Sequence, residues 1–308
     1  MEDLDLRMLR MFTLLARTSS YTRTASLMHV TQSAVSHAMR RLEDQLGCSL
    51  LHKKGKTTHL TSEGRIFLTQ AQKVLEAAER ATDSVTGRFS ESRGTLHVVL
   101  STSMAHLLLA PVFREFRESY PNISIVVRLE DTPRAMDELE NGRCDLAIIV
   151  ENQPTPPGIQ THTLFTDQLH LVYAPFHPWS RTTRIGVREL SKEHFLLYQR
   201  RSLTFRKIES FFLQTGVQLS SYVEIPSFEI IKQLARLSLG VAVMAPWVAK
   251  EELREGSLLS RPLPRRAVKR KWVVARQSIR NLRQPEQTFI GLCRLAANEA
   301  IQESPTRA

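Results

Sequence analysis
With 308 residues, 42 Lys and Arg against 31 Asp and Glu, and a formal net charge of +11, the chain is longer than one hydrophobic core sustains (about 250–300 residues) and favours a polyanionic partner. It has no run of about 18 apolar residues, and its first five residues, MEDLD, are acidic, so neither a membrane-spanning helix nor an export signal is expected. Cys48, Cys144 and Cys293 form no metal-spaced pair and no even-numbered disulfide framework, which excludes a structural zinc site and fits a reducing cytoplasm.

The first helix carries two apolar stripes. Leu6, Leu9, Phe12 and Ala16 make one, and Met8, Met11 and Leu15 the other, which suggests one face for the core and one for a partner. Tyr21–Val30 reads as a short helix and a tight turn. Thr31 then supplies an N-cap and Gly47 a stop for a helix whose two sides differ. Ala34, Val35, Ala38, Met39, Leu42 and Leu46 occupy one side; Gln32, Ser33, Ser36, His37 and Arg40 occupy the other. Hydrogen-bonding groups crowded into the first turns are what a recognition helix needs, because those turns meet base edges in the major groove. An ordinary amphipathic surface helix is the bland alternative. Residues 50–60 follow with apolar ends and a basic tip containing Gly55, as in a hairpin wing whose Lys53, Lys54 and Lys56 would neutralise phosphates. With Arg23, Arg40 and Arg41, these cations face only Glu43 and Asp44 between Tyr21 and Leu60.

Phe12, Ala25-Ser26-Leu27, Thr31-Gln32-Ser33-Ala34-Val35-Ser36, Leu42-Glu43, Leu46-Gly47, Leu50-Leu51 and Leu60-Thr61-Ser62-Glu63-Gly64 form a spaced pattern. It resembles the N-terminal signature of LysR-type transcriptional regulators, densely over about the first 90 residues. Ser33 stands where that family commonly has proline, and His37 where it commonly has arginine. His37 is a smaller, pH-dependent donor than a guanine-reading arginine, so the base preference at that contact departs from the pattern. The resemblance implies an N-terminal all-α winged helix-turn-helix, a long linker helix, and a C-terminal α/β two-lobed effector domain like periplasmic solute-binding proteins. It also implies homodimers joined through the linker helix, tetramers built from them, a dyad-symmetric double-stranded DNA site, and RNA polymerase as a further partner.

From Thr61 to about Arg88 one helical pattern runs, with Phe67, Ala71, Val74, Ala78, Ala81 and Val85 at heptad steps. That seam would pair two helices, or pack on the chain's own effector domain. Residues 90–94 are a polar hinge. The expected division is therefore 1–60, 61–92 and 93–308, the last with lobe I at about 93–165 plus 266–302 and lobe II at about 166–265.

Beyond the hinge, strand-like runs at Gly94–Leu100, Ile123–Leu129 and Cys144–Val150 alternate with helical patterns, as in an α/β domain with a largely parallel sheet. Ligands in such sheets sit beyond the strands' carboxyl ends, at helix N-termini. Ser101, Thr102 and Ser103 lie there; helix capping is a compatible role. Ser202 and Thr204 lie at a second probable helix start among Arg200, Arg201, Arg206 and Lys207, which suggests an anionic effector, an organic or phosphorylated acid, or else a solvated helix start. Phe228 precedes a helix to Leu239. By resemblance, Ser101, Thr102, Ser202, Thr204 and Phe228 match positions that commonly line the cleft, although Phe228 fits a core equally well. A second basic cluster, Arg261, Arg265, Arg266, Lys269, Arg270 and Lys271, reads as surface.

An enzyme is disfavoured, because no Gly-rich phosphate loop, HExxH or GxSxG occurs. No cofactor or metal is expected. Two other readings keep the DNA-reading segment: a redox regulator using an effector-domain cysteine, and a ligand-independent DNA-binding protein. A free-standing solute receptor would not need that segment.

Overall fold
The computed structural model describes residues 4–54, 57–86, 94–152, 154–219, 221–279 and 281–302. They fall into two compact units that divide near residue 90. Among the described residues no helix is long and apolar enough to cross a membrane.

Side-chain caps set the elements of the first unit. Asp5 accepts from the Arg7 N–H and starts α1 (Leu6–Thr18); Ser20 starts α2 (Tyr21–Met28) and Thr31 starts α3 (Gln32–Leu46). Each helix ends in a left-handed residue, Ser19, His29 and Gly47 in turn, which turns the chain sharply. The hairpin β1 (Leu51–Lys54) and β2 (Thr57–Leu60) pairs Leu51 with Leu60 and His52 with His59, and α4 (Ser62–Thr86) follows.

The core of this unit draws on α1 and on the first turns of α4. Met8, Leu9, Met11, Phe12 and Leu15 are all buried within the chain, so most of both stripes of α1 packs inside the unit, while Leu6 is 40 % exposed. The first turns of α4 belong to the same core. Ala71 and Leu75 are buried beside Val35, Met39 and Leu42, and Phe67 packs its ring 5.3 Å from that of Phe12. Ala71 is thus a core position within the chain, and Phe67 is half-buried against the same core. Gly64 sits where α4 passes the wing: a Cβ there would lie 2.1 Å from the Leu50 carbonyl oxygen.

In the second unit, β3 (Gly94–Leu100), α5 (Thr102–Ser119), β4 (Ile123–Leu129), α6 (Thr132–Glu140), β5 (Leu146–Val150) and β6 (Ile159–Gln168) begin lobe I. Lobe II holds β7 (His170–Tyr173), α7 (Val187–Leu190), β8 (Phe195–Leu197), α8 (Leu203–Thr215), β9 (Tyr222–Glu224), α9 (Phe228–Arg236), β10 (Val241–Met244), α10 (Lys250–Glu255) and β11 (Leu259–Pro262). The chain returns to lobe I through β12 (Lys269–Gln277) and α11 (Gln284–Gln302). The sheets run β4-β3-β5-β12-β6 and β11-β7-β10-β8-β9.

Both sheets are mixed, which corrects the expectation of a largely parallel one. β3 runs parallel to β4 and β5, but β12 is antiparallel to β5 and β6. In lobe II β8 is parallel to β9 and β10, whereas β7 is antiparallel to β10 and β11. The antiparallel strands flank the two crossings between lobes. Those crossings touch where the Leu169 N–H donates to the Val268 carbonyl at 2.9 Å.

Candidate nucleic-acid interface and ligand cleft
On α3, Val35, Met39 and Leu42 point into the core, while Gln32, Ser33, His37 and Arg40 are exposed and Ser36 is half-buried. Offsets of one, four, five and eight residues from Gln32 put these polar groups on one side of the helix. Ala34, expected on the core side, is exposed. Thr31 holds the first turn through the Ala34 N–H (3.2 Å) and meets the Ser33 hydroxyl at 2.9 Å. Arg23 is exposed on α2. Lys53 and Lys54 lie on β1, and Lys56 lies outside the described residues.

Glu43 has a role that the sequence did not reveal. Its Oε1 accepts from the Leu50 and Leu51 N–H groups at 2.7 and 3.0 Å, clamping the wing to α3. A carboxylate that accepts backbone donors is partly neutralised by them, which leaves the outward face to the cations. Thr58 N–H to Ser19 (3.1 Å) and the Thr61 hydroxyl to Ser49 (2.7 Å) fix the hairpin from two more sides.

Of the remaining seam positions on α4, Val74 is 44 % exposed, Ala81 is exposed and Ala78 is half-buried. The Val85 side chain lies outside the described residues. Ile66, not singled out from the sequence, is 67 % exposed.

In the second unit three helix starts meet. Ser101 caps α5 through the Met104 N–H (3.4 Å), and Ser202, buried, caps α8 through the Phe205 N–H (3.1 Å). Thr102 of lobe I lies near enough to the Tyr198 hydroxyl of lobe II to pull its pKa down in part. Tyr198 stacks on Phe228 with centroids 4.5 Å apart and planes 8° apart. Asp131, ahead of α6, makes no capping bond; its carboxylate lies 3.5 Å from Arg201 across the cleft. Burial pushes the Asp131 carboxyl above its ordinary range and Arg201 pulls it back in part. Burial, and then Asp131, push the Tyr198 phenol up. Ser103 and Phe228 share a cavity of about 110 Å³ with His106 and Trp247. A larger one, about 170 Å³, opens between α6, β5 and the start of α8, lined by Thr132, Met136, Ile149, Leu203 and Val273 among others. Ser101, Thr102, Ser202 and Phe228 therefore converge. Tyr198 and Asp131, which the sequence did not single out, join them.

Thr204 is engaged elsewhere. Its hydroxyl accepts from Arg270 at 2.9 Å, and Arg270 also grips Asp167 through Nε (2.9 Å) and Nη2 (2.5 Å). The Asp167 Oδ2 further accepts the Trp247 and Trp272 indole N–H groups at 2.8 and 3.0 Å. Arg270 is 3 % exposed, which corrects its reading as a surface cation. Two partners and a nearby indole ring satisfy a guanidinium that could not otherwise be buried. The network spans β6, β12, α8 and the turn 246–249, beside the lobe crossings.

Cys144 packs with Ala135 and Leu139 on the α6 face of the lobe I sheet, whereas Cys293 packs on the opposite, α5 and α11 face. No disulfide can join them across a sheet. Burial pushes the Cys144 thiol up to about 12 and raises that of Cys293. Cys48 is exposed. Brief native treatment with iodoacetamide should therefore give an adduct at Cys48 alone by peptide mass spectrometry. Labelling of Cys144 or Cys293 at the same rate would restore the redox reading. Among the described residues no group of three or more His, Cys, Asp or Glu is placed to hold a metal.

A helix-turn-helix with a clamped wing, followed by two α/β lobes joined by paired crossings, defines a DNA-binding regulator with an effector-binding domain. The chain belongs to the LysR family: the family model described as "Bacterial regulatory helix-turn-helix protein, lysR family" matches residues 6–65, and that described as "LysR substrate binding domain" matches residues 89–297. Similar curated proteins include the uncharacterized HTH-type transcriptional regulator YwqM of Bacillus subtilis, 25 % identical over 83 % of this chain and 87 % of that protein. A probable RuBisCO transcriptional regulator of Nostoc sp. is 27 % identical over 89 % and 84 %. Among solved structures, full-length CbnR complexed with its target DNA shares the fold, with a TM-score of 0.65, 18 % identity, and coverage of 95 % of this chain and 100 % of that one. Proteins of this family regulate transcription and are not enzymes.

Proposed function
We propose that this regulator binds a dyad-symmetric DNA site as a homo-oligomer, through Gln32, Ser33, Ser36, His37 and Arg40 with phosphate contacts from Arg23 and the wing lysines. Its effector is a small acid held between the lobes. The observation that carries the cleft reading is the contact of Asp131 with Arg201 across it, at 3.5 Å, where three helix starts meet. Helix N-termini and Arg201 supply positive potential where an acid would enter. An effector that prefers one closure state shifts the regulator toward it, and only that differential affinity can change DNA binding. Contact with DNA places the protein with the nucleoid in the cytoplasm.

The test starts from an effector found by thermal-shift screening of small acids against the full chain. Thr102→Val and Ser202→Ala should each weaken its binding by about five- to a hundredfold, because a ligand oxygen loses its donor. Melting temperature is measured beside affinity, since Ser202 also caps α8. DNA affinity without effector should stay unchanged. If both variants bind the acid as the parent does, the cleft assignment fails.

At the DNA surface, Gln32→Ala should cost about 1–3 kcal/mol on the best site and little on random DNA. Equal losses on both, measured by fluorescence anisotropy, would remove Gln32 from the base-reading set.

A further inference from the structure
Two basic clusters far apart in the sequence line one groove. Arg206 and Lys207 face it from the first turns of α8, and Arg266 and Lys269 face it from the crossing that leads into β12. The groove holds about 340 Å³, and no acidic residue lines it. Ser210 and Gln214 add hydrogen-bonding groups one and two turns along α8, and Gln214 accepts from Arg266 at 2.9 Å. Nearby cations are already matched: Arg200 lies 3.6 Å from Glu209, Arg201 pairs with Asp131, and Lys271 with Glu151 at 3.0 Å. Among the described residues the four groove cations have no carboxylate within ion-pair distance.

We propose that this groove, which adjoins the cavity between α6, β5 and α8 through Asn152, Leu203 and Arg206, is a second ligand site, and that it takes a small molecule bearing two or more phosphate charges. Four like charges around one concavity repel one another, and a multiply charged anion converts that repulsion into attraction. A single carboxylate would meet only part of the set. The wall on α8 belongs to lobe II, the opposite wall to the crossing, and Asn152 at the rim to lobe I. Occupancy would therefore tie both lobes to the crossing, and the bound polyanion would resist relative movement of the lobes. This site does not depend on the cleft reading, and its failure leaves that reading intact.

The experiment is calorimetric titration of the full chain with inorganic pyrophosphate and with inorganic phosphate, at fixed low salt and without DNA. Pyrophosphate should bind at least about tenfold tighter than phosphate. The double variant Arg206→Gln, Lys269→Gln changes two exposed side chains and should melt as the parent does. It should lose about thirtyfold or more of the pyrophosphate affinity. Arg117→Gln, an exposed cation on α5, should lose less than about twofold and controls for net charge. Thr102→Val should leave pyrophosphate binding unchanged, which separates this site from the cleft. Hydrogen exchange should show pyrophosphate-dependent protection of residues 206–214. The proposal is overturned if pyrophosphate binds no tighter than phosphate, if the double variant retains parental affinity, or if Arg117→Gln loses as much. Displacement of pyrophosphate by hexaglutamate at lower concentration would mean an acidic protein segment as occupant, which also overturns it.

Discussion
Asp167→Ala is expected to destabilise the C-terminal unit by about 3–5 kcal/mol, because it strands a buried guanidinium and two buried indole N–H groups at once. Neither oxygen of Asp167 has an easy substitute. Oδ1 takes the Arg270 Nε, and Oδ2 takes Arg270 Nη2 with both tryptophans. Water could not readily replace these contacts, since Arg270 is 3 % exposed and Trp272 2 %. For a unit of this size the loss lowers the melting temperature by roughly 10 °C. The double change Asp167→Ala, Arg270→Met should recover only part of it, because it removes the unpaired charge but still leaves both indole N–H groups without their acceptor. Urea unfolding of parent, single and double variants decides the matter. A single variant within about 1 kcal/mol of the parent would mean that solvent reaches the pair.

Gly64→Ala should have the second largest effect, and it acts on the other unit. The added Cβ would sit 2.1 Å from the Leu50 carbonyl oxygen and 3.0 Å from its carbon, and both are backbone atoms that no rotamer can move aside. The same carbonyl accepts the Thr61 N–H at 3.0 Å, so shifting it also breaks the junction between wing and α4. A displacement of α4 would disturb Phe67 and Ala71 in the core. We expect a loss of about 2–4 kcal/mol, and specific DNA binding weakened with it. Thermal melting of the variant, followed by anisotropy on the best site, checks both. An unchanged melting temperature would show that the junction relaxes freely.

The DNA-reading unit was legible because local chemistry dictates it. Thr31 and Gly47 mark the ends of α3, and a helical period separates Val35, Met39 and Leu42 from Gln32, His37 and Arg40. Periodicity says which residues are apolar, but not what covers them. Hence the burial of Met8, Met11 and Ala71 within the chain could not be read from it. Strand direction is absent from hydrophobic patterning, so the antiparallel β12 could not be told from a parallel strand. Arg270 read as surface because charged side chains usually are; its partner Asp167 is more than a hundred residues away. The cleft was half legible. Ser101 and Ser202 announce helix starts, whereas Tyr198 and Asp131 show their place only through tertiary contacts.

The clamp made by Glu43 bears on how such a protein can be switched. Glu43, Thr58 and Thr61 tie α3, the hairpin and the start of α4 into one hydrogen-bonded piece, the reading head. A signal from elsewhere therefore has no inexpensive way to retune which bases a head prefers. In the homo-oligomer proposed above, what it would alter is the distance and phase between one head and the next. Half-site spacing along the double helix, rather than half-site sequence, is then the variable through which this chain would report the presence of its ligand.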